Sequence, residues 1–329
     1  MPTIYDVAKK AEVSIATVSA VLNRTAYVSP ELTKRVKAAV QELDYTINHL
    51  AHSLQTKSTR TIGILIPGEG SPDPFFGEVV RGAEDFFRKK GYLLMLGHTY
   101  NHVEEQSRYL SAFRARMVDG VMLFQAPGED AELMRMIEKK RPVVFVGRVP
   151  SDSAADVVAN DIAAGTKLGV EHLIRRGHER IGLATIEKSL SVSALRIEGW
   201  KRALNAKGLT PDPALIVKTE MLIESSRAAA QELLRQNPRP TAIFADNLMI
   251  TIGVLEAVLG EGLRCPEDVE LLSSDDAEWL NVFEPKISTI VQPSYELGAR
   301  AAELLLKRIR HPRRAFEKLM LKPKLRVRG

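Results

Sequence analysis

Thr3-Ile4-Tyr5-Asp6-Val7-Ala8-Lys9-Lys10-Ala11-Glu12-Val13-Ser14-Ile15-Ala16-Thr17-Val18-Ser19-Ala20-Val21-Leu22-Asn23 is the stretch on which the fold turns. Thr3 is placed to cap a helix, and Asp6, three residues on, favours the positive end of its dipole. Ile4, Val7, Ala8 and Ala11 then fall on one face. Glu12-Val13 makes a short turn, and Ser14 is placed to cap a second helix from Ile15 to about Asn23, with Val18, Val21 and Leu22 inward. Ser29 caps a third helix with Pro30 at its first position, where a missing N–H costs nothing. Leu32, Val36, Ala39, Val40 and Leu43 recur along it at helical spacing. Two short helices about a tight turn, buttressed by a third, form a helix-turn-helix; spacing alone also fits, less well, any small three-helix bundle. The outward residues Thr3, Ser14, Thr17, Ser19, Asn23 and Ser29 shift the balance, because short hydrogen-bonding groups at helix starts suit phosphate contacts.

Beyond this segment the composition is that of a globular chain: 329 residues, 45% hydrophobic and 26% charged, with a net charge of +5. The length favours two or three domains. The first sixty residues carry eight Lys or Arg against five acids, a mild basic excess that is weak evidence by itself. No apolar run reaches the roughly 20 residues of a membrane helix. Met1-Pro2-Thr3-Ile4-Tyr5-Asp6 does not read as a signal peptide. The single Cys265 allows no internal disulfide and suits a reducing compartment. A cytoplasmic location, with no membrane contact, is expected.

From Ile62-Gly63-Ile64-Leu65-Ile66 onward, short apolar runs alternate with helical stretches of 10–15 residues. That alternation means parallel sheets with crossover helices, which several α/β enzymes share. Pro67-Gly68-Glu69-Gly70-Ser71-Pro72 fails the spacing of both phosphate-binding glycine motifs. The seven histidines form no zinc-ligand pattern. No nucleophile and base stand in a recognisable arrangement. A non-enzyme without cofactor or metal is expected.

The run from Ile4 to Asn23, with Val28-Ser29-Pro30 and Leu43-Asp44-Tyr45-Thr46-Ile47-Asn48-His49-Leu50-Ala51-His52-Ser53-Leu54, closely resembles the DNA-binding headpiece of the LacI family. Landmarks continue through Val118-Asp119-Gly120-Val121, Gly177-His178-Glu179-Arg180, Arg196-Ile197-Glu198-Gly199-Trp200 and Ser288-Thr289-Ile290-Val291-Gln292-Pro293. The resemblance implies a small all-α helix-turn-helix domain with a hinge helix, followed by an α/β core. That core would have two parallel-sheet lobes like type I periplasmic binding proteins. It implies a headpiece at residues 1–47, a hinge helix and linker at 48–60, and a core at 61–329. Lobe 1 would hold about 61–160 plus 292–320, and lobe 2 about 161–291 plus 321–329. The implied partners are double-stranded operator DNA, a second copy of the chain, and a small effector. The family's effectors are most often a sugar, sugar acid or sugar phosphate, with a purine next.

Carried over position by position, Ile15, Ala16 and Ala20 would face bases, with Tyr45, Asn48 and Ala51 also at the DNA. Leu54 would be a wedge between base pairs in the minor groove. Neither Ile15 nor the two alanines can make bidentate hydrogen bonds to a base edge, so operator choice leans on phosphate register, kinking and DNA shape. In the core, Phe75 and Phe76 offer aromatic faces, Arg196 a guanidinium fork, and Asp275 an acceptor for hydroxyls. Arg148, Asp246, Asn247 and Gln292 complete the expected effector set. The chain departs from the family at four points. Glu12 stands where glycine is frequent, Ile47 where proline is usual, Asp246-Asn247 stands where Asn-Asp is common, through either a reversed pair or a slipped loop register, and Asn160-Asp161 inverts a common Asp-Asn.

Overall fold

The computed structural model describes residues 2–23, 26–45, 58–67, 74–147, 155–187 and 190–328. The chain divides into two compact units, Met1–Thr59 and Arg60–Gly329.

In the first unit α1 spans Ile4–Ala11, α2 Ile15–Asn23 and α3 Pro30–Glu42. Helix α1 opens with a reciprocal capping box. The Asp6 N–H donates to Thr3 Oγ1 at 3.4 Å, and the Thr3 N–H donates to the Asp6 carboxylate at 2.7 Å. The Thr3 amide and hydroxyl hold the Asp6 carboxyl below its ordinary range. The box therefore contributes fully above the usual carboxylate pKa and is lost as pH falls through the lowered value. Ser14 accepts from the Thr17 N–H at 3.1 Å, and Ser29 from the Leu32 N–H at 3.4 Å, so the second and third caps form as expected. Val7, Val18 and Val36, one from each helix, are wholly buried at the centre. Burying such a side chain is worth about 1.5–3 kcal/mol, and few such groups hold this small unit together.

The second unit contains two six-stranded sheets. The first runs β11-β5-β4-β3-β1-β2, with β1 at Thr61–Ile66, β2 Leu93–His98, β3 Gly120–Leu123, β4 Val143–Val146, β5 Asp156–Asn160 and β11 Lys318–Leu321. All its pairings are parallel. The second runs β12-β10-β9-β8-β6-β7, with β6 at Ile181–Ile186, β7 Ile216–Thr219, β8 Ala242–Ala245, β9 Glu270–Ser273, β10 Ser288–Val291 and β12 Lys324–Arg326. Only β12 is antiparallel to its neighbour. Helices cover both faces, so central strands such as Ala242–Ala245 are buried along their whole length. Helices α4 (Pro74–Arg88) and α11 (Ser294–Arg310) pack together on the first lobe. They approach so closely that a methyl group on Gly298 would collide with the Val79 carbonyl. The chain leaves lobe 1 after Asn160, returns at α11, and crosses again between β11 and β12.

Three strands, β5, β10 and β11, are not singled out by the alternation of apolar runs and helical stretches in the sequence. Strand β5 begins with a charged residue, Asp156, which is fully buried against Arg308. Arg308 Nε lies 2.7 Å from Asp156 Oδ2 and Nη2 lies 3.1 Å from Oδ1. The same guanidinium donates to the carbonyls of Pro312, Arg314 and Ala315. The Glu317 N–H completes the Asp156 carboxylate at 2.9 Å, pinning the link between α11 and β11 onto β5. Strand β11 is an edge strand whose first three residues are exposed, so no alternation of buried and exposed positions marks it. Among the described residues, no helix is long and apolar enough to cross a membrane.

Candidate functional site

Each unit presents one candidate surface. In the first, Val18, Val21 and Leu22 turn α2 inward onto α1 and α3. The opposite side shows Ile15, which is 39% exposed, and Ala16, also exposed, with Ser19 and Ala20 half-buried beside them. Thr3 and Ser14 are exposed at their helix starts, and Thr17 and Ser29 are half-buried. Ser14 Oγ and Thr17 Oγ1 lie 2.9 Å apart, a hydroxyl pair at the start of α2. Tyr45 packs half-buried against the headpiece core, with its N–H bonded to the Val40 carbonyl. Two exposed tyrosines went unnoticed in the sequence, Tyr5 on α1 and Tyr27, 90% exposed between α2 and α3. Either phenol can donate to a phosphate oxygen. The side chain of Asn23, and all of Asn48, Ala51 and Leu54, lie outside the described residues, as does the expected hinge helix.

The turn itself repairs the missing glycine. Glu12 sits in the left-handed region at φ 47°, which costs a side-chain-bearing residue roughly 1–2 kcal/mol. Arg35 on α3 donates to the Glu12 carbonyl at 3.3 Å and pairs with its carboxylate at 3.0 Å. A glycine could receive only the first of these contacts. The exposed pair contributes modestly, but it ties the turn to the buttressing helix.

In the second unit a cavity of about 140 Å³ lies at the carboxyl ends of the strands of both sheets. Ligands bind there in open parallel sheets, because helix N-termini and loops converge at that edge. The volume is close to the ~150 Å³ of an engineered cavity that accepts benzene, so it has room for a single ring. From lobe 1, Phe75 and Phe76 in the first turn of α4 meet Phe124 edge to face, with centroids 6.4 and 5.3 Å from it. From lobe 2, Arg196 on α8 (Leu190–Asn205) reaches into the wall and is almost wholly buried. Its Nε donates to Asp246 Oδ1 at 2.5 Å, Nη2 to the Asp246 carbonyl at 3.2 Å, and Nη1 to Thr166 at 3.4 Å. These contacts engage three of its five N–H donors. Asp246 is itself held by the Thr185 hydroxyl and the Ile186 N–H.

Asn247 caps α10 (Leu248–Gly260) through its Oδ1 while lining the cavity. Gln292, at the return to lobe 1, donates from Nε2 to Asp275 Oδ1 at 2.6 Å. Its Oε1 accepts from Asn160 Nδ2 at 2.8 Å, a bond that crosses from one lobe to the other. The structure thus brings Phe75, Phe76, Arg196, Asp246, Asn247, Asp275 and Gln292 to one cavity. Arg148 lies outside the described residues. Sequence reasoning missed Asn160, Phe124, Thr219 and Glu220, all in the lining. Each sits at or just after the carboxyl end of a strand. Asn160 was hidden because β5 was not read as one. Among the described residues no cluster of three metal-ligating side chains occurs.

Residues 3–48 match the family profile of bacterial regulatory proteins of the lacI family, and residues 170–329 that of a periplasmic binding protein-like domain. The ribose operon repressor of Haemophilus influenzae is 35% identical over 329 residues, covering 98% of this chain and 96% of its own. The HTH-type transcriptional repressor PurR of Aliivibrio salmonicida is 35% identical over 322 residues, 96% of either chain. Among solved structures, the Lac repressor dimer bound to operator and an anti-inducer matches with a TM-score of 0.86. Its identity is 26%, covering 98% of this chain and 97% of that one.

Proposed function

This chain belongs to the LacI family of bacterial regulatory proteins, and on that premise we propose that it is a cytoplasmic, homodimeric transcriptional repressor. It binds a palindromic operator, and a small neutral sugar controls that binding. Residues 1–47 meet the two half-sites, 48–60 form the hinge, and 61–329 sense the effector and hold the dimer. Ile15, Ala16 and Ala20 face the major groove, where they offer apolar contact to thymine methyls. Thr3, Ser14, Thr17, Ser19, Asn23 and Ser29 fix phosphate register, with Tyr45, Asn48 and Ala51 at the groove edges. Leu54 wedges the centre of the site. Leu54→Ala is expected to weaken operator binding roughly tenfold while leaving effector affinity unchanged; equal operator affinity removes the wedge.

The observation that carries the sugar reading is the polar set around the single-ring cavity. Arg196 is already neutralised by Asp246, while Asp275 and Glu220 also line the wall. Hydroxyls satisfy such a set, whereas a phosphate or carboxylate would meet more negative charge than positive. The similarity to a ribose operon repressor makes a pentose the first probe. Arg148 joins the effector set. Calorimetric titration with D-ribose, D-ribose 5-phosphate and hypoxanthine tests the reading. Binding of the free sugar alone is expected; binding of the phosphate or the base instead contradicts it.

A further inference from the structure

The wall of the cavity contains one polar atom that the fold leaves unmatched. Asn160 is only 4% exposed, it lines the cavity, and its Oδ1 makes no hydrogen bond. Which end of this amide is left over is fixed by a chain of three groups. The Asp275 carboxylate can only accept, so the Gln292 amide must turn its Nε2 toward it, at 2.6 Å. Gln292 Oε1 then faces Asn160, which must offer Nδ2, at 2.8 Å. The atom left over is therefore an acceptor, held in place by a carboxylate two amides away. Buried acceptors without a donor are rare and cost free energy.

We infer that Asn160 is an effector-binding residue, and that its Oδ1 accepts a hydrogen bond from one ligand hydroxyl. This role rests on the sugar reading above and sharpens it. Asn160 ends β5 on lobe 1, whereas Gln292 and Asp275 follow strands of lobe 2. A hydroxyl seated on Asn160 thus adds a contact to the group that already bridges the lobes, and occupancy is felt on both sides of the crossover. The requirement is strict in polarity. A hydroxyl donates; a fluorine, a carboxylate oxygen or a phosphate oxygen presents an acceptor to an acceptor.

The test uses the full-length protein and calorimetric titration with D-ribose, its monodeoxy derivatives and the matching deoxyfluoro derivatives. In wild type, one ring position is expected to lose about tenfold in affinity with either replacement, since fluorine restores size but not the donated proton. In Asn160→Ala that loss should shrink to near unity while discrimination at the other positions persists. Asn160→Ser, too short to reach the same hydroxyl, repeats the experiment if the alanine variant folds poorly. Unchanged discrimination at every position in the variant that folds overturns the role of Asn160 and leaves the sugar reading intact. If wild type binds no member of the series, the sugar reading falls and this role falls with it.

Discussion

Arg308→Met lowers the unfolding free energy of the core by about 3–5 kcal/mol in urea titrations followed by circular dichroism, with little change in slope. The magnitude follows from what the substitution strands. Asp156 is fully buried, and Arg308 is its only cationic partner among the described residues. Without it, a carboxylate remains inside the first lobe and three main-chain carbonyls lose their donor. Removing one partner of a buried pair costs far more than the pair contributes over a neutral replacement. The double variant Arg308→Met/Asp156→Asn should therefore recover much of the loss, because asparagine keeps an acceptor for the Glu317 N–H. A single-variant loss below about 1 kcal/mol would show that the clamp does not secure the returning segment.

Arg196→Met is expected to fail in two ways at once. The effector loses a buried guanidinium, and the core loses about 3–5 kcal/mol because Asp246 is left charged and nearly solvent-free. Ligand binding by this variant alone is therefore ambiguous. Adding Asp246→Asn separates the effects. Asparagine can still accept from the Thr185 hydroxyl and the Ile186 N–H, so stability should largely return while sugar binding stays absent in calorimetry. Sugar affinity within threefold of wild type in the stable double variant would move the guanidinium out of the site.

These two pairs mark where sequence reading reaches and where it stops. The caps Thr3, Ser14 and Ser29 and the inward face of α2 were legible, because each depends on residues three or four apart. The alternation of strands and helices was legible from Ile62 onward for the same local reason. Arg308 and Asp156 are 152 residues apart, and Asn160 and Gln292 are 132 apart. Nothing in the spacing of either partner announces the other. The resemblance to the family's arginine brought Arg196 to the cavity wall as expected, but its dependence on Asp246 was not legible. The reversed Asp246-Asn247 now has a physical sense, since Asp246 anchors the arginine and Asn247 caps the following helix. Glu12 was visible as an anomaly, and its remedy, Arg35, lies on another helix.

The most direct measurement is fluorescence anisotropy of a labelled palindromic duplex, selected by the protein from random sequence, titrated with and without saturating D-ribose. Effector coupling in such regulators is typically 1–3 kcal/mol, so operator affinity should move by at least about fivefold. Tight operator binding that ignores the sugar, in a protein that calorimetry shows to be sugar-bound, would contradict the link between cleft and headpiece.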